Sequence, residues 1–189
     1  MGICDAECNF NYVSIGSYGS QSDSNVFMWS QIGLALENDD VLWPSPENLP
    51  NSDIEFGYFL VGDAAFPLNP HFLKPYPGRM LPPDKQHFND RLGTARNTIE
   101  RTFGILANRF RILRGEIQAH PKNAELIVQA CVTLHNYIKK TADSETPLAN
   151  PDSHLDTLDS NPSILRGRSR RNVLEIRDTY NDYLYSHRV

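Results

Sequence analysis

Phe56-Gly57-Tyr58-Phe59-Leu60-Val61, closed by Gly62-Asp63, is the most strand-like run in the chain. It is almost continuously apolar, the pattern of a strand buried on both faces. In an open α/β sheet, ligands gather beyond the carboxyl end of such a strand, and Asp63 stands at that end. Six prolines between Pro67 and Pro83 then keep the chain irregular.

Working outward, the next periodic segment is a long helix. Leu92, Ala95, Ile99, Phe103, Leu106, Phe110 and Leu113 recur at three- and four-residue steps and form one stripe. Gly104 lies inside it and weakens it by about 1 kcal/mol relative to Ala. A second helix is expected over about Asn123 to Lys140, with Leu126, Ala130, Leu134 and Ile138 as its apolar side. Toward the N-terminus the reading is strand, turn, strand: Met1 to Ala6, a turn at Glu7 to Asn11, then Tyr12 to Ile15. Ser22 or Asp23 can cap a helix through Val26, Phe27, Ile32, Leu34 and Leu36 that ends near Asn38. Residues 44–53, with Pro44, Pro46 and Pro50, read as an irregular connection. Residues 141–165 have linker composition, Arg166 to Arg171 form a basic cluster, and Val173, Ile176, Tyr180 and Tyr183 mark a final amphipathic helix.

With 189 residues, 40% of them hydrophobic and 22% charged, one folded domain with a tail is expected. Lys plus Arg number 18 against 23 Asp plus Glu, a net −5 that argues against a blanket of basic charge. No stretch approaches the roughly 20 apolar residues that span a bilayer, and Met1 is followed by no signal-like pattern. Three cysteines do not suit a disulfide framework and point to a reducing compartment. Secreted and membrane readings are set aside on these grounds. Cys4 and Cys8, without a second pair, do not make a zinc site. The six histidines show no triad-like grouping.

Two features bear chemistry. Glu100 follows Ile99, beside the apolar stripe of the long helix. If that helix packs on the strand, Asp63 and Glu100 converge on a cation, and oxygen ligands suit Mg²⁺ or Mn²⁺. The same residues also read as a turn aspartate and as one half of an Arg96–Glu100 pair. The second feature is Arg91, Arg96, Arg101, Arg109, Arg111 and Arg114. Glu100 is the only acid among residues 91–114, so six arginines leave that window at +5. Such a face attracts phosphates, or is a solvated face set against acidic neighbours.

Gly62-Asp63-Ala64-Ala65-Phe66-Pro67-Leu68, followed by Lys74-Pro75-Tyr76-Pro77-Gly78, resembles the second-aspartate block of the PIF/Harbinger-type DDE transposases. Phe88-Asn89, Arg96, Ile99-Glu100, Phe103-Gly104-Ile105-Leu106 and Arg109 to Leu113 are similar to that family's glutamate helix. Cys4-Asp5-Ala6 and Ser22 to Phe27 fit upstream, and Ala130 to Asn136 fits the closing helix. The resemblance spans about residues 3–140. Ile176-Arg177-Asp178 and Tyr183 are fainter echoes of the family's end.

The resemblance implies an α/β, RNase H-like mixed sheet flanked by helices that cuts DNA with two divalent metal ions, one at the attacking oxygen and one at the leaving oxygen. Asp63 takes the place of the second catalytic and metal-binding aspartate, and Glu100 that of the glutamate, with 36 residues between them. The first aspartate belongs to an Asp-Gly-x-His block on a preceding strand, and this sequence has none. Asp5 and Asp23 match other family positions. The expectation is a truncated or decayed transposase-derived nuclease, impaired for want of the bridging carboxylate. The contrasting expectation is a non-catalytic derivative that binds DNA or a partner. Residues 1–140 are the expected nuclease domain, incomplete at its N-terminus, with 141–165 a flexible linker and 166–189 the basic cluster and terminal helix. The six arginines are the expected nucleic-acid contacts. A Myb-like DNA-binding protein is the partner the family implies, and the basic cluster suits import into the nucleus.

Overall fold

The computed structural model describes residues 1–38, 40–143 and 170–188. These form two compact units. One comprises residues 17–97 with the C-terminal helix; the other comprises residues 2–16 with residues 98–143. None of the described helices is long and apolar enough to cross a membrane.

In the second unit, β1 (Gly2–Cys4) and β2 (Phe10–Val13) pair antiparallel, Gly2 opposite Val13 and Cys4 opposite Phe10. The strand–turn–strand reading of this segment holds. A long helix, α3 (Pro83–Arg109), lends its last turns to this unit and is followed by a short 3-10 helix, Arg111–Arg114. The fourth helix, α4, covers Pro121–Asp143. Phe10, Leu106, Cys131 and Val132 form the core, with Ile99, Phe110 and Leu113 packed on it.

The face that α4 buries is not the expected one. Leu126, Leu134 and Tyr137 are 62%, 47% and 62% exposed, whereas Cys131, Val132 and His135 are buried. Two apolar stripes run along this helix, and the stripe with the bulkier leucines points outward. The inward stripe wins because it carries His135 and Asn136. His135 Nε2 meets the Cys8 carbonyl at 2.8 Å. Asn136 accepts from the Phe10 N–H at 2.9 Å and donates to the Phe10 carbonyl at 2.8 Å. Turning the helix over would leave those hairpin groups unpaired, at about 1–3 kcal/mol each.

In the first unit, the expected single helix near residues 23–38 is two: α1 (Asp23–Met28) and α2 (Gln31–Glu37). Ser22 caps the first as expected. Ser30 divides them, donating to the Phe27 carbonyl at 2.7 Å and accepting from the Gly33 N–H at 3.1 Å. Gly33 makes this possible, since a Cβ there would sit 1.9 Å from the Phe27 carbonyl oxygen. Residues 44–53, read as irregular, contain β3 (Glu47–Asn48), which pairs antiparallel with β4 (Glu55–Phe56).

The decisive run of the sequence is therefore not one buried strand. Its beginning pairs as β4, and its end is β5 (Leu60–Val61), parallel to β6 (Phe72–Leu73). Gly57 interrupts it, as glycine weakens a strand interior. Phe56 and Phe59 serve a ring cluster instead of a second sheet face, and Tyr58 is exposed. Phe56 and Phe59 sit 5.2 and 5.0 Å from Tyr180 of α5 (Arg170–Ser186). Tyr180 and Leu184 in turn pack on the core of Tyr76, Phe88 and Leu92.

The expected linker begins within α4, which runs to Asp143, and its remainder lies outside the described residues, as does most of the basic cluster. The C-terminal helix is held by polar contacts far apart in sequence. Tyr76 donates to Asp178 at 2.6 Å, the Arg177 guanidinium lies 4.0 Å over the Tyr76 ring, and Asn181 donates to Asp84 at 3.0 Å. Burial, and then the Asp178 carboxylate, push the Tyr76 phenol above its ordinary range, against a smaller opposing pull from Arg177. A phenol raised in the folded state contributes stability that is whole below the ordinary tyrosine value near 10 and is lost as pH climbs beyond it. Melting temperature should therefore fall above about pH 10, and Tyr76→Phe should flatten that fall. The same variant should cost about 1–2 kcal/mol at pH 7 in urea melts. An alkaline limb identical in the two proteins would remove the role given to this bond.

Candidate functional site

Asp63 follows β5 and the buried Gly62, where a Cβ would meet the Phe72 ring at 2.4 Å. The strand end is thereby held tight against β6. One oxygen of Asp63 accepts from the Ala65 N–H at 2.8 Å, and its carbonyl accepts from Phe66. This is the turn that the sequence allows. Lys74, which sequence reasoning passed over except as part of a block, braces it by donating to the carbonyls of Ala64 at 3.1 Å and Phe66 at 2.8 Å. The second carboxylate oxygen of Asp63 has no partner among the described residues. Asn89 on α3 pins the chain beyond the turn, accepting from the Tyr76 N–H at 2.8 Å and donating to the Tyr76 carbonyl at 3.0 Å.

Glu100 is exposed on α3 and belongs to the other unit. Each carboxylate is thus positioned within its own unit: Asp63 by a braced turn, Glu100 by a helix whose neighbouring Thr102 is fully buried. Among the described residues, no group of three or more His, Cys, Asp or Glu stands ready for a metal ion. Mg²⁺ asks less than that of a protein. It takes one or two carboxylates and completes its octahedron with water and phosphate oxygens, so the open oxygen of Asp63 suits a hard cation in kind.

The six arginines divide. All six are exposed, but two of them also hold structure. Arg109 donates to the His135 carbonyl at 3.2 Å, tying the end of α3 to α4. Arg114 folds back on the same helix end, donating to the Ala107 carbonyl at 3.1 Å and to the Asn108 side chain. The Ala107 carbonyl lies in the last turn of α3, where no helical N–H reaches it, and a cation there is favourable. Arg109 and Arg114 therefore have structural duties besides the nucleic-acid contacts expected of them.

A family model described as DDE superfamily endonuclease matches residues 1–136. The match takes in Asp63, Glu100 and all six arginines, and it ends on Asn136, the residue that grips β2. Protein ALP1-like of Arabidopsis thaliana is 31% identical over 140 residues, which is 73% of this chain and 34% of that protein. The chain thus spans about a third of the length of the curated relative it matches. No solved structure matches.

The brace gives a direct expectation. Lys74→Met should leave the melt within about 1 kcal/mol, because the ammonium is partly solvated. Amide exchange at Ala65 and Phe66 should nevertheless quicken severalfold as their turn loosens. Exchange unchanged at both amides would show that Lys74 does not hold the turn.

Proposed function

The chain belongs to the DDE superfamily endonuclease family, and on that premise we propose that it derives from a PIF/Harbinger-type transposase whose RNase H-like domain acts on DNA phosphodiesters. The observation that supports this reading best is the braced turn at Asp63. It leaves one carboxylate oxygen open at a strand end, inside the matched region. Asp63 and Glu100 are the carboxylates assigned to a divalent cation, Mg²⁺ or Mn²⁺. When bound, such an ion supplies Lewis-acid activation of a phosphate oxygen. The chain's own contributions are to hold Asp63 at a fixed position through Lys74 and to present arginines to the DNA backbone.

Residues 1–189 hold no Asp-Gly-x-His block, so the bridging carboxylate of the family has no counterpart among them. Two cations near one another would repel with less negative charge between them. The 189-residue chain alone is therefore proposed to bind DNA without cutting it, and the non-catalytic reading is preferred for it. A Myb-like DNA-binding protein is the proposed partner. The nucleus is the proposed location, on the strength of the basic cluster at 166–171.

Two measurements test this. Mn²⁺ titration should give weak binding that Asp63→Asn lowers further, and equal affinity in both proteins would end the metal assignment. For DNA, affinity should be independent of sequence and fall steeply with salt. Arg91→Gln with Arg111→Gln should flatten the log–log salt slope by about 0.9 for each lost contact. Arg109→Gln should instead cost about 1 kcal/mol of stability and leave the slope alone. An unchanged slope in the double variant would mean that those arginines are a solvated face.

A further inference from the structure

We propose that the cavity walled by Phe56, Tyr58, Phe59, Tyr180 and Glu47 binds a methylated ammonium cation on an aliphatic stem, of the kind a trimethylated lysine presents. The cavity measures about 310 Å³ and lies wholly within the first unit. That is the lower end of the range for small-ligand sites, roughly 300–1,000 Å³. It has room for one side chain.

A strand pair and the C-terminal helix build the wall. β3 and β4 set Glu47 directly opposite Phe56. Residues opposite one another in an antiparallel pair share a face of it, so the carboxylate and the ring stand side by side. Phe56 and Phe59 meet at 5.7 Å with their planes 87° apart, and Tyr180 closes on both, at 31° to Phe56 and 67° to Phe59. Rings at such angles do not stack into one slab; they turn faces in more than one direction. Tyr58, 40% exposed, adds a fourth ring to the lining. Gly57 lines the cavity too, and a Cβ built there would have no atom within 4 Å, so the backbone opens onto free space.

The charge is as one-sided as the shape. Among the described residues, Glu47 is the only charged residue on the cavity wall, and no Lys, Arg or His lines it. A hydrogen bond to Glu47, ahead of burial, holds the Tyr58 phenol above its ordinary range, so the carboxylate neighbours this ring as well. An aromatic face carries the negative side of the ring quadrupole and attracts a cation placed over it. Four rings and one carboxylate therefore favour a positive ligand. An unmodified ammonium has three N–H donors and a tight hydration shell, and ring faces replace few of those hydrogen bonds. Methylation removes the donors and lets the cation pack against the rings by dispersion contact. Leu49, also on the wall, offers apolar surface to a stem longer than that of choline.

The test is calorimetric titration of the full chain with a glycine-flanked lysine peptide in three forms: trimethylated, unmodified, and with the lysine replaced by its neutral tert-butyl isostere. The trimethylated peptide should bind, and the other two should bind about tenfold more weakly or not at all. Glu47→Gln and Tyr58→Leu should each weaken the trimethylated peptide severalfold with circular dichroism unchanged, since both side chains are exposed. Equal affinity for the unmodified lysine or for the neutral isostere would overturn the assignment, as would no binding of the trimethylated peptide. Choline bound as tightly as that peptide would overturn the part given to the stem. Undiminished affinity in both folded variants would put the ligand elsewhere and overturn the site.

Discussion

One asparagine carboxamide, set against both backbone groups of a single residue, anchors each of the two units. Asn136 on α4 grips Phe10 of β2, and Asn89 on α3 grips Tyr76. A primary amide carries a donor and an acceptor at nearly the spacing of a peptide group, so it offers an extended residue what a neighbouring strand would offer. Among the described residues, six strands of only two to four residues each form three two-stranded pairs. Pairs so small have little stability of their own. Asn136 supplements one such pair at Phe10 of β2, and Asn89 does the same for Tyr76, three residues beyond β6.

The remaining order in the first unit follows from that anchor. Tyr76, fixed by Asn89, is also the residue on which α5 settles, through Asp178 at its hydroxyl and Arg177 over its ring. A second cation, Lys85, lies 4.9 Å from the centre of the same ring. The ring cluster of Phe56, Phe59 and Tyr180 extends the contact toward β4. In the second unit the counterpart is Phe10, fixed by Asn136 and packed 5.4 Å from Phe103 and 5.5 Å from the His135 ring. In both places one aromatic residue joins a backbone anchor to a hydrophobic core.

Long elements were legible in the sequence and short ones were not. The three-and-four periodicity found α3 and α4 because many residues vote for them. It missed Ser30, whose single hydroxyl divides α1 from α2, since a serine cap is visible only once Gly33 is known to approach Phe27. The apolar run at 56–61 was misread because burial around one tyrosine ring looks, in one dimension, like burial between two layers. The stripe on α4 was misassigned for a related reason: leucines outweigh a histidine and an asparagine in hydrophobicity, but not in hydrogen bonds to a buried hairpin. Of the candidate site, the position of Asp63 after a strand was legible from the apolar run before it. Lys74 was not, because bracing two carbonyls eight and ten residues back leaves no pattern in the sequence.

The outward stripe of α4 also governs how the chain behaves as a solute. Leu126, Leu134 and Tyr137 keep apolar surface in contact with water along one side of a 23-residue helix. Sulfate and phosphate raise the free energy of such surface by being excluded from it. In their presence the stripe is favoured to leave water. Salting-out and retention on a phenyl resin then draw on this side of one helix as well as on the overall charge of −5.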